Sequence, residues 1–380
     1  MKIGIITHWN SKDNYGQVLQ CYALQRYLIS LGHEPFLIRY APTDPPRNLS
    51  YKILHFWEII NISHIRAYIQ YRTNKRKLRH YYIANNPDVR KFDEFRNDFI
   101  VMSDKIYRSF EELYAENWDA DAMISGSDQV WNCPEYTRRS YFLDFASDRI
   151  TKIAYAASFG KALLDEQYEK ALPRLLRHFK AVGLRETSGV ELCRKAGRED
   201  AQLVCDPTLL LNGLDYIDDI LKTDIETANH IFCYFINWNT SIPTDRLSAY
   251  AADNGLSIRY FNAHGLDLND FAPTYDDMTV QSWIESLASA ECVCTNSFHG
   301  TVFSILMHKP FIALPLQGDV KAMNVRLATL LNKLGLEERL YDSTEDFSQQ
   351  MKAPIDWNAI DEKLNAFKSE SEDFLQKALP

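Results

Sequence analysis

The chain has 380 residues, 46% of them hydrophobic and 24% charged, with a formal net charge of −9. This composition belongs to a globular protein, the length suggests two domains, and the acidic balance argues against a general nucleic-acid binder. The N-terminal run MKIGIITHWN is too short for a signal h-region, and no segment approaches the ~18 continuous apolar residues of a membrane span, so a cytoplasmic location is expected. Seven cysteines without Cys-x-x-Cys spacing read as free core thiols, with Cys292 and Cys294 expected on opposite faces of a strand.

In chain order, residues 2–7 form an apolar run of strand length, the polar loop 8–16 follows, and helical spacing of Val18, Leu19, Tyr22, Ala23, Tyr27 and Leu28 predicts a helix over 17–31. A strand over 35–39 completes a β/α/β opening, which predicts a parallel sheet with ligands at the strand C-termini. Asn14, Gly16 and Gln17 lie at that edge and are candidate acceptor or phosphate contacts. Residues 51–79 carry aromatics and isoleucines followed by Arg66, Arg72, Lys75, Arg76, Lys77 and Arg79. This basic amphipathic insertion, within about 45–100, reads as a helical hairpin packed on the domain or as a surface that lies on an anionic membrane.

A helix is predicted over 92–99 and a buried strand over 118–124, which stops at Ser125, Gly126, Ser127, Asp128, Gln129, Val130 and Trp131. There Asp128 is a candidate to orient or deprotonate a hydroxyl, Gln129 to contact a saccharide, and Trp131 to stack on a sugar face or simply pack in a capped turn. A strand over 153–157 ends at Ser158, Phe159 and Gly160, a helix follows over 165–179, and a strand over 181–184 stops at Arg185 and Glu186. Arg185 is a candidate ligand for phosphate or carboxylate, or the partner of an acid. The strand over 202–205 halts at Asp206, Pro207 and Thr208 near an expected domain border.

A second set begins with a strand over 230–236 and continues with a helix over 244–254, a strand over 257–261, a loop around His264, a helix over 280–290 and a strand over 292–294. That last strand runs into Ser297, Phe298, His299 and Gly300, which places an imidazole at a helix start, where free N–H groups and the macrodipole favour an anion. A strand over 310–314, the cations Lys321 and Arg326, and a final helix over 356–379 complete the chain. The expected class is therefore α/β, with two doubly wound Rossmann-like domains, 1–210 on the acceptor side and 228–345 on the donor side, facing a cleft, and C-terminal helices over 346–380. No metal-ligand spacing is evident, and no cofactor is expected.

The succession of Gly126-Ser127-Asp128-Gln129-Val130-Trp131, Ser158-Phe159-Gly160, Arg185-Glu186 with Ser188, Asp206-Pro207-Thr208 and Ser297-Phe298-His299-Gly300 resembles the polysaccharide pyruvyl transferase family. The resemblance implies a fold like the two-domain GT-B glycosyltransferases and transfer of the pyruvate unit of phosphoenolpyruvate to two hydroxyls of a capsule, exopolysaccharide or cell-wall saccharide. The acceptor would be a saccharide or a lipid-linked oligosaccharide at the inner membrane face. On this reading His299 transfers a proton, Asp128 is the base, and Arg185, Ser297, Gly300, Lys321 and Arg326 hold the donor. Ser297 stands where the family carries an arginine, so either Lys321, Arg326 or Arg259 replaces it or the donor is not phosphoenolpyruvate. A nucleotide-sugar glycosyltransferase and a non-catalytic saccharide-binding relative are the rival readings.

Overall fold

The structure is a computed structural model and describes residues 1–43, 89–236, 242–262 and 278–380. Most of the basic insertion, including all of 51–79, and the loop around His264 lie outside the described residues. Two parallel sheets organise the chain.

The first sheet has seven strands in the order β3-β2-β1-β4-β5-β6-β7: β1 (Lys2–Ile6), β2 (Glu34–Tyr40), β3 (Met102–Tyr107), β4 (Ala122–Ser125), β5 (Thr151–Ala157), β6 (Ala181–Leu184) and β7 (Gln202–Leu203). β1 pairs with β2 on one side and β4 on the other, so the strand order reverses between β1 and β4, the switch point where doubly wound sheets bind ligands. The second sheet has four strands in the order β11-β10-β8-β9: β8 (His230–Phe235), β9 (Ser257–Asn262), β10 (Cys292–Thr295) and β11 (Phe311–Ala313). Its reversal lies between β8 and β10. The two sheets bear out the doubly wound reading.

Strands buried on both faces are read easily from apolar runs, and β1, β4, β5, β8 and β10 are of this kind. β3 was not expected. Its sequence, MSDKIY, is an edge strand with half-exposed and exposed positions, and it shows no apolar run. Cys292 and Cys294 share one face, against the expectation, because residues two apart on a strand point the same way; both join Cys233 in one core cluster.

Among the helices, α1 (Tyr15–Ser30), α2 (Phe92–Phe99), α3 (Glu166–Leu176) and α4 (Thr187–Lys195) flank the first sheet. The second carries α5 (Thr244–Asp253), α6 (Val280–Ser289) and α7 (Phe298–Leu306), while α8 (Asn324–Leu334) packs on α4 and on the last helix, α9 (Trp357–Ala378). One apolar core runs from β1 and α1 through α6 and α7 to α9, so the halves share buried surface instead of meeting across open solvent. At its centre Tyr15 stacks on Trp283 at 5.4 Å and meets Tyr234 edge-on at 5.6 Å, while its hydroxyl donates to Met278 O at 2.7 Å. The last helix returns to the first sheet. Phe374 lies against Gly183 of β6, Ser371 Oγ accepts from Cys205 N at 2.8 Å, and Lys180 Nζ donates to Leu379 O at 3.0 Å.

Candidate active site

Six strand ends, those of β1, β4, β5, β6, β7 and β10, converge where the halves meet. At the end of β4, Gly126 has φ +119, and a Cβ on it would lie 2.1 Å from Tyr155 O, so only glycine fits. The turn it permits holds Asp128 in the left-handed region at φ 70, and the backbone of Asp128 bridges to the loop after β5, accepting from Ser158 N at 3.0 Å. This is stored backbone strain at a buried carboxylate. After β6 the chain delivers Arg185 and Glu186, both buried. After β7, Asp206 caps the 3-10 turn Pro207–Leu209, accepting from Thr208 N at 3.1 Å and Thr208 Oγ1 at 2.8 Å. From the other sheet, β10 delivers Ser297, Phe298 and His299 at the start of α7.

These groups form one buried network. Arg185 Nη2 donates to Asp128 Oδ1 at 2.8 Å and its Nη1 to Asp206 Oδ2 at 2.7 Å. Ser127 Oγ also donates to Asp206 Oδ2, at 2.8 Å. His299 Nε2 stands 3.6 Å from Asp206 Oδ1, an ion-pair distance beyond hydrogen-bond reach. On the far side His8, just past β1, places Nδ1 3.7 Å from Asp128 Oδ2. Burial opposes the charge on both aspartates. His8, Arg185 and His299 nevertheless hold the Asp128 carboxyl well below the usual carboxylate range, and His299, Arg185 and Thr208 do the same for Asp206. Burial alone would weaken Arg185, but Asp128, Asp206 and Glu186 hold it more firmly charged. Glu186 accepts from Phe159 N at 2.8 Å and Gly160 N at 3.2 Å, and burial raises its carboxyl despite Arg185.

Arg326, on α8, is 5% exposed, and among the described residues its hydrogen bond goes to Met323 O at 3.3 Å. Burial and the neighbouring Arg185 push it down to about 10. Both guanidinium groups lie over Phe298, 4.9 Å from the ring centre for Arg185 and 5.8 Å for Arg326. Four buried polar atoms here have no partner among the described residues: Arg185 Nε, Glu186 Oε2, Ser188 Oγ and His299 Nε2. A folded protein leaves few such atoms, so together they mark a polar ligand site.

His299, Asp128, Arg185 and Arg326 are thus brought together as the sequence suggested. Other assignments need correction. Trp131 is fully buried and stacks on Phe142 at 4.5 Å, so it cannot offer a face to a sugar. Ser297 caps α7, accepting from Gly300 N at 3.2 Å, which commits both residues to the helix start. Asn14 likewise caps α1 by accepting from Gln17 N, and Gln17 Oε1 accepts from Ser11 N at 2.8 Å. Gln129 Oε1 accepts from Asn132 at 3.2 Å, closing a turn against Gly160. Lys321 is exposed on the 3-10 turn Gly318–Met323, outside the network, and Arg259 on β9 bonds Ser286 Oγ at 3.3 Å. Asp128 is not a free base but the partner of Arg185.

Three further residues take part in the site. Asp206 has the Asp-Pro-Thr signature of a capped turn at a strand end, Glu186 follows Arg185 directly, and His8 is the first titratable side chain after β1, at the switch point. Cavities of ≈ 600 Å³ beside Lys2, Phe36 and Trp118 and of ≈ 550 Å³ beside His308 and Asp361 lie away from this network; their walls carry none of its residues. The convergence of buried charge at both switch points outweighs their size. Among the described residues no group of three or more His, Cys, Asp or Glu is arranged to hold a metal, and no helix is long and apolar enough to cross a membrane.

Solved structures of similar fold include UDP-N-acetylglucosamine 2-epimerase from Rickettsia bellii, at TM-score 0.53 and 10% identity over 99% of this chain and 95% of that one. An α-glucosyltransferase in complex with UDP and DNA matches at TM-score 0.51 and 10% identity over 100% and 93%. The UDP-GlcNAc 2-epimerase from Neisseria meningitidis matches at 0.50 and 9% over 99% and 100%. At these identities they bear out the GT-B-like fold and nothing beyond it. No match was found among curated proteins. The family described as polysaccharide pyruvyl transferase matches residues 14–317, which takes in every strand end of the buried network except that of β1, and the chain therefore belongs to the polysaccharide pyruvyl transferase family.

Proposed function

We propose that the donor is phosphoenolpyruvate and that its pyruvate unit passes to two hydroxyls of a saccharide as a ketal. The observation that carries this is the pair of guanidinium groups, Arg185 and Arg326, beside His299, whose Nε2 has no hydrogen-bond partner among the described residues. Phosphoenolpyruvate has a phosphate and a carboxylate, and Arg326 together with the Nε–H that Arg185 has left after its two aspartates suits such a ligand. Arg326 supplies the positive charge missing at Ser297. The start of α7 adds its macrodipole on the same side.

In the reaction His299 gives a proton to C3 of the donor, which leaves C2 electron-poor. A sugar hydroxyl attacks C2 and loses its proton, the C2–O bond to phosphate breaks, and a second hydroxyl closes the ketal. Of the two protons released, one replaces the proton given by His299 and the other leaves on phosphate. A positioned acid of this kind contributes ~10²–10⁴-fold.

The first sheet would present the acceptor and the second the donor, because His299 and Arg326 come from the second half. A saccharide on a lipid carrier at the cytoplasmic membrane face would meet the basic segment 51–79. Flotation with anionic liposomes tests that part, and absence of binding at low salt removes it. The central test incubates the protein with phosphoenolpyruvate and a panel of methyl galactosides, methyl glucosides and N-acetylmannosamine derivatives. Acceptor-dependent phosphate release with a pyruvate ketal by mass, lost in His299→Ala, is expected; turnover of a nucleotide sugar with none of phosphoenolpyruvate refutes the donor.

A further inference from the structure

The hydroxyl proton needs an acceptor, and Asp128 is poorly suited. One of its oxygens is bonded to Arg185 at 2.8 Å, and the charges around it keep it ionised at the cost of basicity. Its other oxygen faces Nδ1 of His8 at 3.7 Å. His8 follows β1 directly, at the switch point of the seven-stranded sheet, on the half opposite His299. The Tyr141 ring meets it edge-on at 5.3 Å and 87°, which limits its swing. Its side chain is 31% exposed while that of Asp128 is 10% exposed, so the imidazole is the more open of the two to an incoming molecule.

Resting on the pyruvyl-transfer reading above, we infer that His8 is the general base that takes the proton from the attacking saccharide hydroxyl, with Asp128 as its positioning residue. At 3.7 Å the Asp128 carboxylate acts on Nδ1 through its charge and not through a hydrogen bond, and that charge favours the tautomer with the proton on Nδ1, which leaves Nε2 free to accept. As the hydroxyl oxygen bonds to C2, its proton moves to Nε2, and the imidazolium that forms is stabilised by the carboxylate behind it. That proton leaves on the phosphate or to solvent, restoring neutral His8. The pieces form one connected line, His8, Asp128, Arg185, Asp206 and His299. Base and acid thus stand at opposite ends of a single charge network, one on each half. Arg185 at its middle holds both carboxylates ionised, and Asp128 stands as a fixed anion on the Nδ1 side of His8.

The experiment compares His8→Ala and His8→Gln with wild type, using the acceptor from the panel that yields ketal. Phosphoenolpyruvate binding is measured separately by calorimetry. The expected result is a kcat lower by ~10²–10⁴-fold, unchanged donor binding and unfolding temperature, and recovery of His8→Ala by added imidazole in a dose-dependent way. A kcat within about threefold of wild type overturns the inference, as does a loss that imidazole does not restore and that comes with weakened donor binding. Wild type that binds phosphoenolpyruvate but gives no ketal with any acceptor refutes the underlying reading, and the inference falls with it.

Discussion

Gly16 is the position where a single methyl group should tell most about the site. It lies in the first turn of α1 without a positive φ, so alanine is allowed there and would add helix propensity, up to about 1 kcal/mol. The added Cβ, however, would lie 2.0 Å from Nδ1 of His299, 2.2 Å from its Cγ and 2.6 Å from its Cβ. Ordinary contact begins at 3.4 Å, so the imidazole must retreat by about 1.4 Å. It has little room. His299 is 6% exposed, and the Ser297 cap fixes the turn that carries it. Overpacking of this kind costs typically ~1–3 kcal/mol, more than the propensity gain. Displacement of a proton donor by about 1 Å costs on the order of 10²-fold in rate. Gly16→Ala should therefore lower both the unfolding temperature and the rate of phosphate release, with the rate affected more. A variant with wild-type kcat and an equal or higher unfolding temperature would refute the reasoning, because the helix gain would then have met no opposing clash.

Arg326→Gln should raise the KM for phosphoenolpyruvate at least about tenfold, or ~1.4 kcal/mol, without lowering the unfolding temperature, since among the described residues its hydrogen bond goes to a backbone carbonyl and not to a carboxylate. Steady-state kinetics against donor concentration decides this, and an unchanged KM removes Arg326 from the cradle. Trp131→Ala should cost about 3–5 kcal/mol in denaturant unfolding, whereas Trp131→Phe should leave the acceptor KM unchanged, because the indole packs against Phe142 and Phe159 and not against a sugar. Glu186 gives a pH signature. Its folded pKa is raised by burial, so its contribution to stability is full below about pH 4.3 and is lost as pH rises through the folded value. Glu186→Gln keeps an oxygen for the Phe159 and Gly160 amides and should flatten the fall of stability with pH, ending at least as stable as wild type at pH 7. A steeper fall in urea titrations at several pH values would contradict it.

Much of the fold was legible because parallel strands buried on both faces are short apolar runs, and glycine or polar turns punctuate them. Helix α2 coincides with its expected span of 92–99, and β6 with 181–184. β3 was not legible, since an edge strand with a wet face lacks the signal. At the site, strand-end position pointed to Asp128, Arg185 and His299. It could not show that Arg185 is spent on two aspartates, because Asp206 is 21 residues away in sequence and reaches it through the order of the sheet. Trp131 misled for a related reason. A tryptophan after a glycine turn looks the same in sequence whether it faces a cleft or the cluster of Phe142, Phe159 and Tyr168. Arg96 carries no mark in the sequence, yet it bonds Trp9 O at 3.0 Å and Ser11 O at 2.9 Å, fixing the loop that carries His8. Its helical neighbours gave no hint that its partners lie 85 to 87 residues upstream.

Helix α9 bears on the order in which the chain is made. Synthesis runs from N- to C-terminus, and domains commonly fold as units while emerging. Here β6 and the segment after β7 are covered by Phe374 and Ser371, which leave the ribosome more than 160 residues after Cys205. The first sheet can form early, but one apolar face stays uncovered until residues 371–374 have emerged. Premature termination before residue 357 would leave that face bare on an otherwise formed sheet, a species prone to aggregation and a ready target for chaperones.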